Sequence, residues 1–257
     1  MSENSSKISL TSSVRWPVFW RVLALVTWVI VGFLLASLLV LAIAQGLTLL
    51  DVPLSDLNES VVNTAAAGLV YLLSALIVIG VPQMVRRMMA TREDMGIHRL
   101  PTWRDIALAP AGFVVYFIAS AIVTSVVTGI IPGFDANETQ DVGFADLSQT
   151  YEYVLAFLTL VVLAPVAEEL LFRGYLYGKL RKWLVVWLAA LVASIVFGVV
   201  HGQWNVGVDV FVLSLVMCAL REVSGGIWAG TLLHMLKNGL AFYLLFVNPT
   251  LLNTIGG

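Results

Sequence analysis

The chain has 257 residues, 60% of them apolar and 12% charged, with a net charge of -2 at pH 7. That is well above ordinary globular apolar usage and describes a chain that needs lipid around it. The near-neutral balance gives no clustered basic surface, which excludes nucleic-acid binding. The one cysteine, Cys218, can form no internal disulfide and lies in an apolar stretch, where helix packing is its expected role.

Taken in chain order, the apolar runs fall at 17–44, 61–81, 106–131, 153–177, 183–200, 208–220 and 227–247. A hydrocarbon core of about 30 Å needs about 20 helical residues, so these runs predict an all-α fold, a polytopic membrane bundle of seven transmembrane helices. The sixth run is short, and its ends are the least defined. The first has features of a leader, with Arg15 and Arg21 before the core and Ala42-Ile43-Ala44 after it. A leader core is normally about 7 to 15 residues, and this one is nearly twice that, so it reads as a retained helix.

Basic residues set the expected orientation. Arg86, Arg87, Arg92, Arg99 and Arg104 follow the second run, and Lys179, Arg181 and Lys182 follow the fourth, which predicts both loops on the cytoplasmic side. The alternate loops carry Asp51, Asp56 and Glu59, then Asp135, Glu138, Asp141 and Asp146, without Lys or Arg. The expectation is a multi-pass protein of a bacterial cytoplasmic membrane, N-terminus inside. It divides into a tail at 1–15, three helices of generic character at 16–150, a four-helix catalytic segment at 151–247 and a tail at 248–257. His98 and Trp204 read as solvated or interfacial anchors.

Polarity at membrane depth separates the two halves. After Arg21 the first three runs hold almost no ionisable group, whereas the later ones hold Glu168, Glu169, Arg173, His201, His234 and Lys237. A charge inside the bilayer costs about 2.5 to 3.5 kcal/mol on insertion scales, so the cluster marks a candidate site. Residues four apart share a helix face, which pairs Arg173 with Glu169 and leaves Glu168 available as a general base. Pro165 removes a backbone hydrogen bond just before the pair and predicts a kink or opening there. His234 and Asn238 are also four apart and offer an imidazole and an amide to an oxyanion. Phe197 stands four residues before His201 and could pack on its ring. One such pair is as readily structural, since polar side chains hydrogen-bond across membrane helices for about 1 kcal/mol; six groups in three ordered clusters point to chemistry.

At these residues the chain resembles the CAAX-processing and bacteriocin-processing (CPBP, or Abi) intramembrane proteases. Glu168-Glu169-Leu170-Leu171-Phe172-Arg173-Gly174 matches EExxxR, Phe197 to His201 matches FxxxH, and His234 to Asn238 matches HxxxN. The resemblance implies that Glu168 and His201 activate the attacking water and that His234 and Asn238 stabilise the oxyanion. It also implies an endopeptidase acting on membrane-associated peptides or proteins, with membrane lipid and a peptide or membrane-protein substrate as partners. Glu168, His201 and His234 could make a His₂Glu zinc set, but the HExxH pattern of soluble zinc proteases is absent, and the metal-free mechanism is slightly preferred. The rival reading is a non-enzymatic immunity or peptide-binding transport protein using the same cavity. Lys237 has no role in either. The orientation is tested by cysteine labelling, which should place Arg92 inside and Asp141 outside; both on one side would overturn the span count.

Overall fold

The computed structural model describes residues 17–136, 138, 143–144 and 147–251. Arg15, Asp141, Asp146, the N-terminal tail and residues 252–257 lie outside the described residues. Seven helices carry the seven apolar runs: α1 (Val18–Leu49), α2 (Glu59–Met84), α3 (Trp103–Ile130), α4 (Thr150–Leu180), α5 (Val186–Val199), α6 (Trp204–Ser224) and α7 (Trp228–Val247). Among the described residues there is no strand. α1 to α4 and α7 are long and apolar enough to cross a membrane, and α5 is apolar but has only 14 residues. The sixth run, expected to be short, lies in a helix of 21 residues that also takes in Trp204 to Gly207 at one end and Arg221 and Glu222 at the other.

Local chemistry sets the helix ends. The Asn58 side chain accepts from the Ser60 amide at 3.0 Å and opens α2. Capping boxes open α3, through Thr102 and Asp105, and α4, through Gln149 and Glu152. Gly225 stops α6 at φ 77°, a left-handed conformation that a side chain would strain, and lets α7 turn back.

The basic loops meet at one end of the bundle. Lys182 donates to Asp94 at 2.6 Å, Arg181 to Glu222 at 2.9 Å, and Arg99 to Asp105 at 2.9 Å and to the Ser224 carbonyl at 2.9 Å. Arg221 donates to the carbonyls of Asp94, Met95 and Arg173, pinning the α2–α3 loop against α4. Burial works to raise the Asp94 carboxyl pKa, but hydrogen bonds from Lys182 and the Thr91 amide outweigh it and hold it below the usual value. At the opposite end, Asn58 donates to Glu152 at 2.6 Å and Asn63 to the Gly143 carbonyl.

The outer face is apolar. Leu34, Leu38, Phe117, Ile118 and Ile122 are between 55% and 62% exposed, a surface that water would penalise and lipid tails accept. The chain is therefore read as an integral membrane protein. Inside, Leu176, Phe197, Leu213, Met217 and Leu233 are fully buried between α4, α5, α6 and α7. Without a hydrophobic force between helices in lipid, close approach relies on small residues. Gly198 and Gly207 let the α5 and α6 backbones meet, since a Cβ on Gly198 would stand 2.7 Å from the Gly207 carbonyl oxygen.

Gly178 is the tightest such position, because a Cβ there would collide with the Asp94 carbonyl and lie 3.1 Å from Arg221 Nη2. Gly178→Ala should destabilise by about 1 to 3 kcal/mol, whereas Gly46→Ala, with nothing within 4 Å, should be neutral or stabilise by up to about 1 kcal/mol. Thermal unfolding of both variants in detergent checks this; equal melting temperatures would show that the loop is not clamped on α4.

Candidate active site

Glu168, Glu169 and Arg173 project from a stretch of α4 that is not uniformly α-helical. Its turns widen to π-helix at Leu158–Leu163 and again at Glu169–Tyr177, a local feature frequent at functional sites. Pro165 accounts for part of this. In the widened register the Ala164 amide bonds the Thr159 carbonyl, five residues back. The next carbonyl, Leu160, would need an amide at 165, where proline has none. Asn238 Nδ2 donates to that orphaned Leu160 oxygen at 2.9 Å. The expected opening at Pro165 thus takes the form of a widened turn sealed by the α7 amide.

The predicted Glu169–Arg173 pair is present. Arg173 Nη1 donates to Glu169 Oε1 at 2.8 Å, with the two side chains 1% and 0% exposed. The guanidinium carbon lies 4.0 Å from the Phe197 ring centroid, a cation–π contact. Arg173 Nε and Nη2 and Glu169 Oε2 have no hydrogen-bond partner among the described residues. The same Phe197 ring meets His201 edge-on at 4.8 Å and His234 at 6.1 Å, as the FxxxH spacing predicts for the first of them.

Each imidazole has one nitrogen committed. His201 Nδ1 is 2.7 Å from the Phe197 carbonyl, and because a carbonyl can only accept, Nδ1 carries the proton and Nε2 is left with its lone pair in the neutral ring. His234 Nδ1 is 3.3 Å from Glu169 Oε1, and its Nε2 is 3.9 Å from Glu168 Oε2. Glu168, His234 and Lys237 are all electrostatic neighbours of the His201 ring. Glu168 is not paired with arginine, as expected, and it is 15% exposed where Glu169 is sealed. It is not without a partner, however: the Tyr71 hydroxyl of α2 donates to its Oε1 at 2.7 Å.

Lys237 also finds a partner. Its Nζ is 3.4 Å from Asp209 Oδ2 on α6, while Asp209 Oδ1 accepts from Tyr116 and Ser120 of α3 at 2.6 Å each. Tyr71 carries no sequence signature, being a lone phenol in an apolar run. Asp209 does carry one, since an acid inside a spanning run is a candidate by the same cost that marks Glu168; it stands outside the six predicted residues. His98 and Trp204 are exposed.

Among the described residues no group of three His, Cys, Asp or Glu side chains is gathered closely enough to hold a metal ion. His234 Nδ1 turns to Glu169 and His201 Nδ1 to a backbone carbonyl, which leaves Nε2 of each ring as the nitrogen a metal would take.

Residues 150–240 match the family model described as "Type II CAAX prenyl endopeptidase Rce1-like". That segment holds all six predicted site residues. A stretch of 98 residues, 36% of this chain, is 37% identical to an "Uncharacterized 24.3 kDa protein" of Escherichia coli, and it spans 44% of that relative. No solved structure matches.

The geometry separates the two glutamates. Glu169→Gln would leave Arg173 buried and uncompensated, a change that costs about 3 to 5 kcal/mol for a fully buried pair, and should lower the melting temperature together with any activity. Glu168→Gln should leave the melting temperature nearly unchanged. Equal melting temperatures would show that the buried pair does not hold the bundle.

Proposed function

We propose that the chain is an intramembrane endopeptidase that hydrolyses peptide bonds of membrane-associated peptides or proteins, in a bacterial cytoplasmic membrane with the N-terminus inside. The observation that carries this reading is the convergence at Glu168. One of its oxygens is held by Tyr71 and the other points toward His234, beside a second imidazole, inside a helix bundle. The likeness of 150–240 to a prenyl endopeptidase family supports the same class of reaction.

In this mechanism a water lies against Glu168 Oε2 and the His201 Nε2 lone pair. Glu168 takes one water proton as the water oxygen bonds to the scissile carbonyl carbon. The carbonyl oxygen becomes an oxyanion, received by Asn238 and by the Nε2–H of His234, whose ring carries both protons in this step because Nδ1–H stays on Glu169 Oε1. Asn238 has one N–H on the Leu160 carbonyl and a second free to donate. Its amide is thus held in one orientation before charge develops, which is how such donors gain most. Collapse of the tetrahedral species breaks the C–N bond, and Glu168 returns its proton to the leaving amine. Glu169 and Arg173 orient His234 and carry no proton in this scheme.

No metal enters the mechanism. Glu168→Gln should lower turnover by about 10² to 10⁴, and Asn238→Ala should lower kcat by about 10² to 10³ with KM nearly unchanged. Rates are measured with fluorogenic peptides in detergent or liposomes, alongside the zinc content of the purified protein. Full activity in Glu168→Gln would favour a binding or immunity protein, and stoichiometric zinc whose removal abolishes activity would overturn the metal-free scheme.

A further inference from the structure

Polar contacts tie α2 to α4 at three levels. Asn58 Nδ2 donates to Glu152 Oε1 at 2.6 Å, Thr159 Oγ1 to Thr64 Oγ1 at 3.2 Å, and Tyr71 Oη to Glu168 Oε1 at 2.7 Å. Residue numbers rise together, so the two helices run parallel. Between the second and third contacts α2 advances 7 residues (71 − 64) while α4 advances 9 (168 − 159). The widened turns at Leu158–Leu163 take up part of the difference, because a π-turn closes over one more residue than an α-turn, and the long Tyr71 and Glu168 side chains span the rest. Equal advance on both helices would bring Val166 (159 + 7) opposite Tyr71. The irregularity of α4 therefore helps to bring the carboxylate to the phenol.

The other two contacts lie away from the cluster and serve packing and capping. The third falls on Glu168, whose other oxygen faces the His234 imidazole across a gap of 3.9 Å. A phenol has a single proton to give, and here it goes to Oε1, leaving Oε2 as the oxygen turned toward His234. We propose that Tyr71 is a positioning residue, which fixes Glu168 by Oε1 so that Oε2 alone is presented to the attacking water. The inference rests on the proteolytic reading with Glu168 as base. It extends the site to α2, outside the segment 150–240 that matches the protease family. A carboxylate free to rotate would spend much of its time in geometries that do not line up with water and carbonyl, and misplacement by about 1 Å is enough to cost on the order of a hundredfold.

The test compares two substitutions on the same helix pair. Tyr71→Phe removes only the hydroxyl that meets Glu168; Thr64→Val removes the neighbouring α2–α4 contact and leaves Glu168 untouched. Tyr71→Phe should lower kcat about tenfold or more, with KM within about twofold, since a hydrogen bond to a charged group is involved. Thr64→Val should keep the wild-type kcat, and the two variants should melt at similar temperatures. A wild-type kcat in Tyr71→Phe overturns the inference, as does an equal loss of kcat in both variants or a change confined to KM. Turnover by the wild type and its loss in Glu168→Gln, assayed in the same preparation, show separately that the proteolytic reading stands. An inactive wild type or an active Glu168→Gln removes that reading and the inference with it.

Discussion

The ion pair of Glu169 and Arg173 is the constraint around which the second half of the molecule is organised. Two opposite charges, both essentially without exposure, are tolerable in a lipid-embedded bundle only because each is matched at once. Their partners come from other helices. Glu169 Oε1 is shared by Arg173 and by His234 of α7, and the face of the guanidinium rests on Phe197 of α5. The Arg173 carbonyl is taken by Arg221 of α6. A single turn of α4 therefore fixes α5, α6 and α7 around it, and the rings of His201 and His234 are located by the Phe197 ring that covers the cation. The pair does no chemistry in the proposed reaction, yet the distances between the groups that do follow from it.

A second constraint comes from proline. A helix interior normally rejects it, because one carbonyl loses its amide and the ring crowds the preceding turn. In α4 the turn ahead of Pro165 is widened, and the orphaned Leu160 oxygen is met by the Asn238 side chain. In hydrocarbon an unmet carbonyl is especially costly, so α7 is drawn to α4 at this level by backbone hydrogen bonding as well as by apolar packing. Asn238 seals α4 with one N–H, and in the proposed reaction the other is the one offered to developing charge. The widening also shifts the register of α4 against α2, so one defect in helix geometry bears on the placing of both Asn238 and Glu168.

Much of this was legible in the chain because helical spacing is local. The i to i+4 pairs Glu169–Arg173 and Phe197–His201 follow from residue numbers alone, and the structure contains both. Seven apolar runs gave seven helices for the same reason: runs of apolar residues have few alternatives in lipid. The limits were those of long-range contact. Tyr71 and Glu168 are 97 residues apart, and no periodicity in either helix links them. Asp209 was obscured in another way. Gly207, Asp209, Arg221 and Glu222 dilute the sixth run, so its helix reads as shorter than the 21 residues it has, and the acid falls at the edge of the apparent span. Once the helix is seen at full length, Asp209 is an interior charge, answered by Lys237, Tyr116 and Ser120.

The depth of the three motifs poses a geometric problem on which the length of α5 bears. Measured along the chain, Glu168 and His201 lie farther from their hairpin turn than His234 lies from its own, so helices of equal span would set them at different levels. α5 has 14 residues, a rise of about 21 Å at 1.5 Å per residue, which falls short of a hydrocarbon core of about 30 Å. The turn that follows it carries His201 and Gly202. Non-helical backbone at membrane depth is tolerated where protein surrounds it or a cavity hydrates it. Here the His201 turn closes its own amides, with the His201 N–H on the Gly198 carbonyl and the Gly202 N–H on Val199. His201 is thus carried on the turn that ends a short helix, where the Phe197 ring one turn earlier holds it at 4.8 Å.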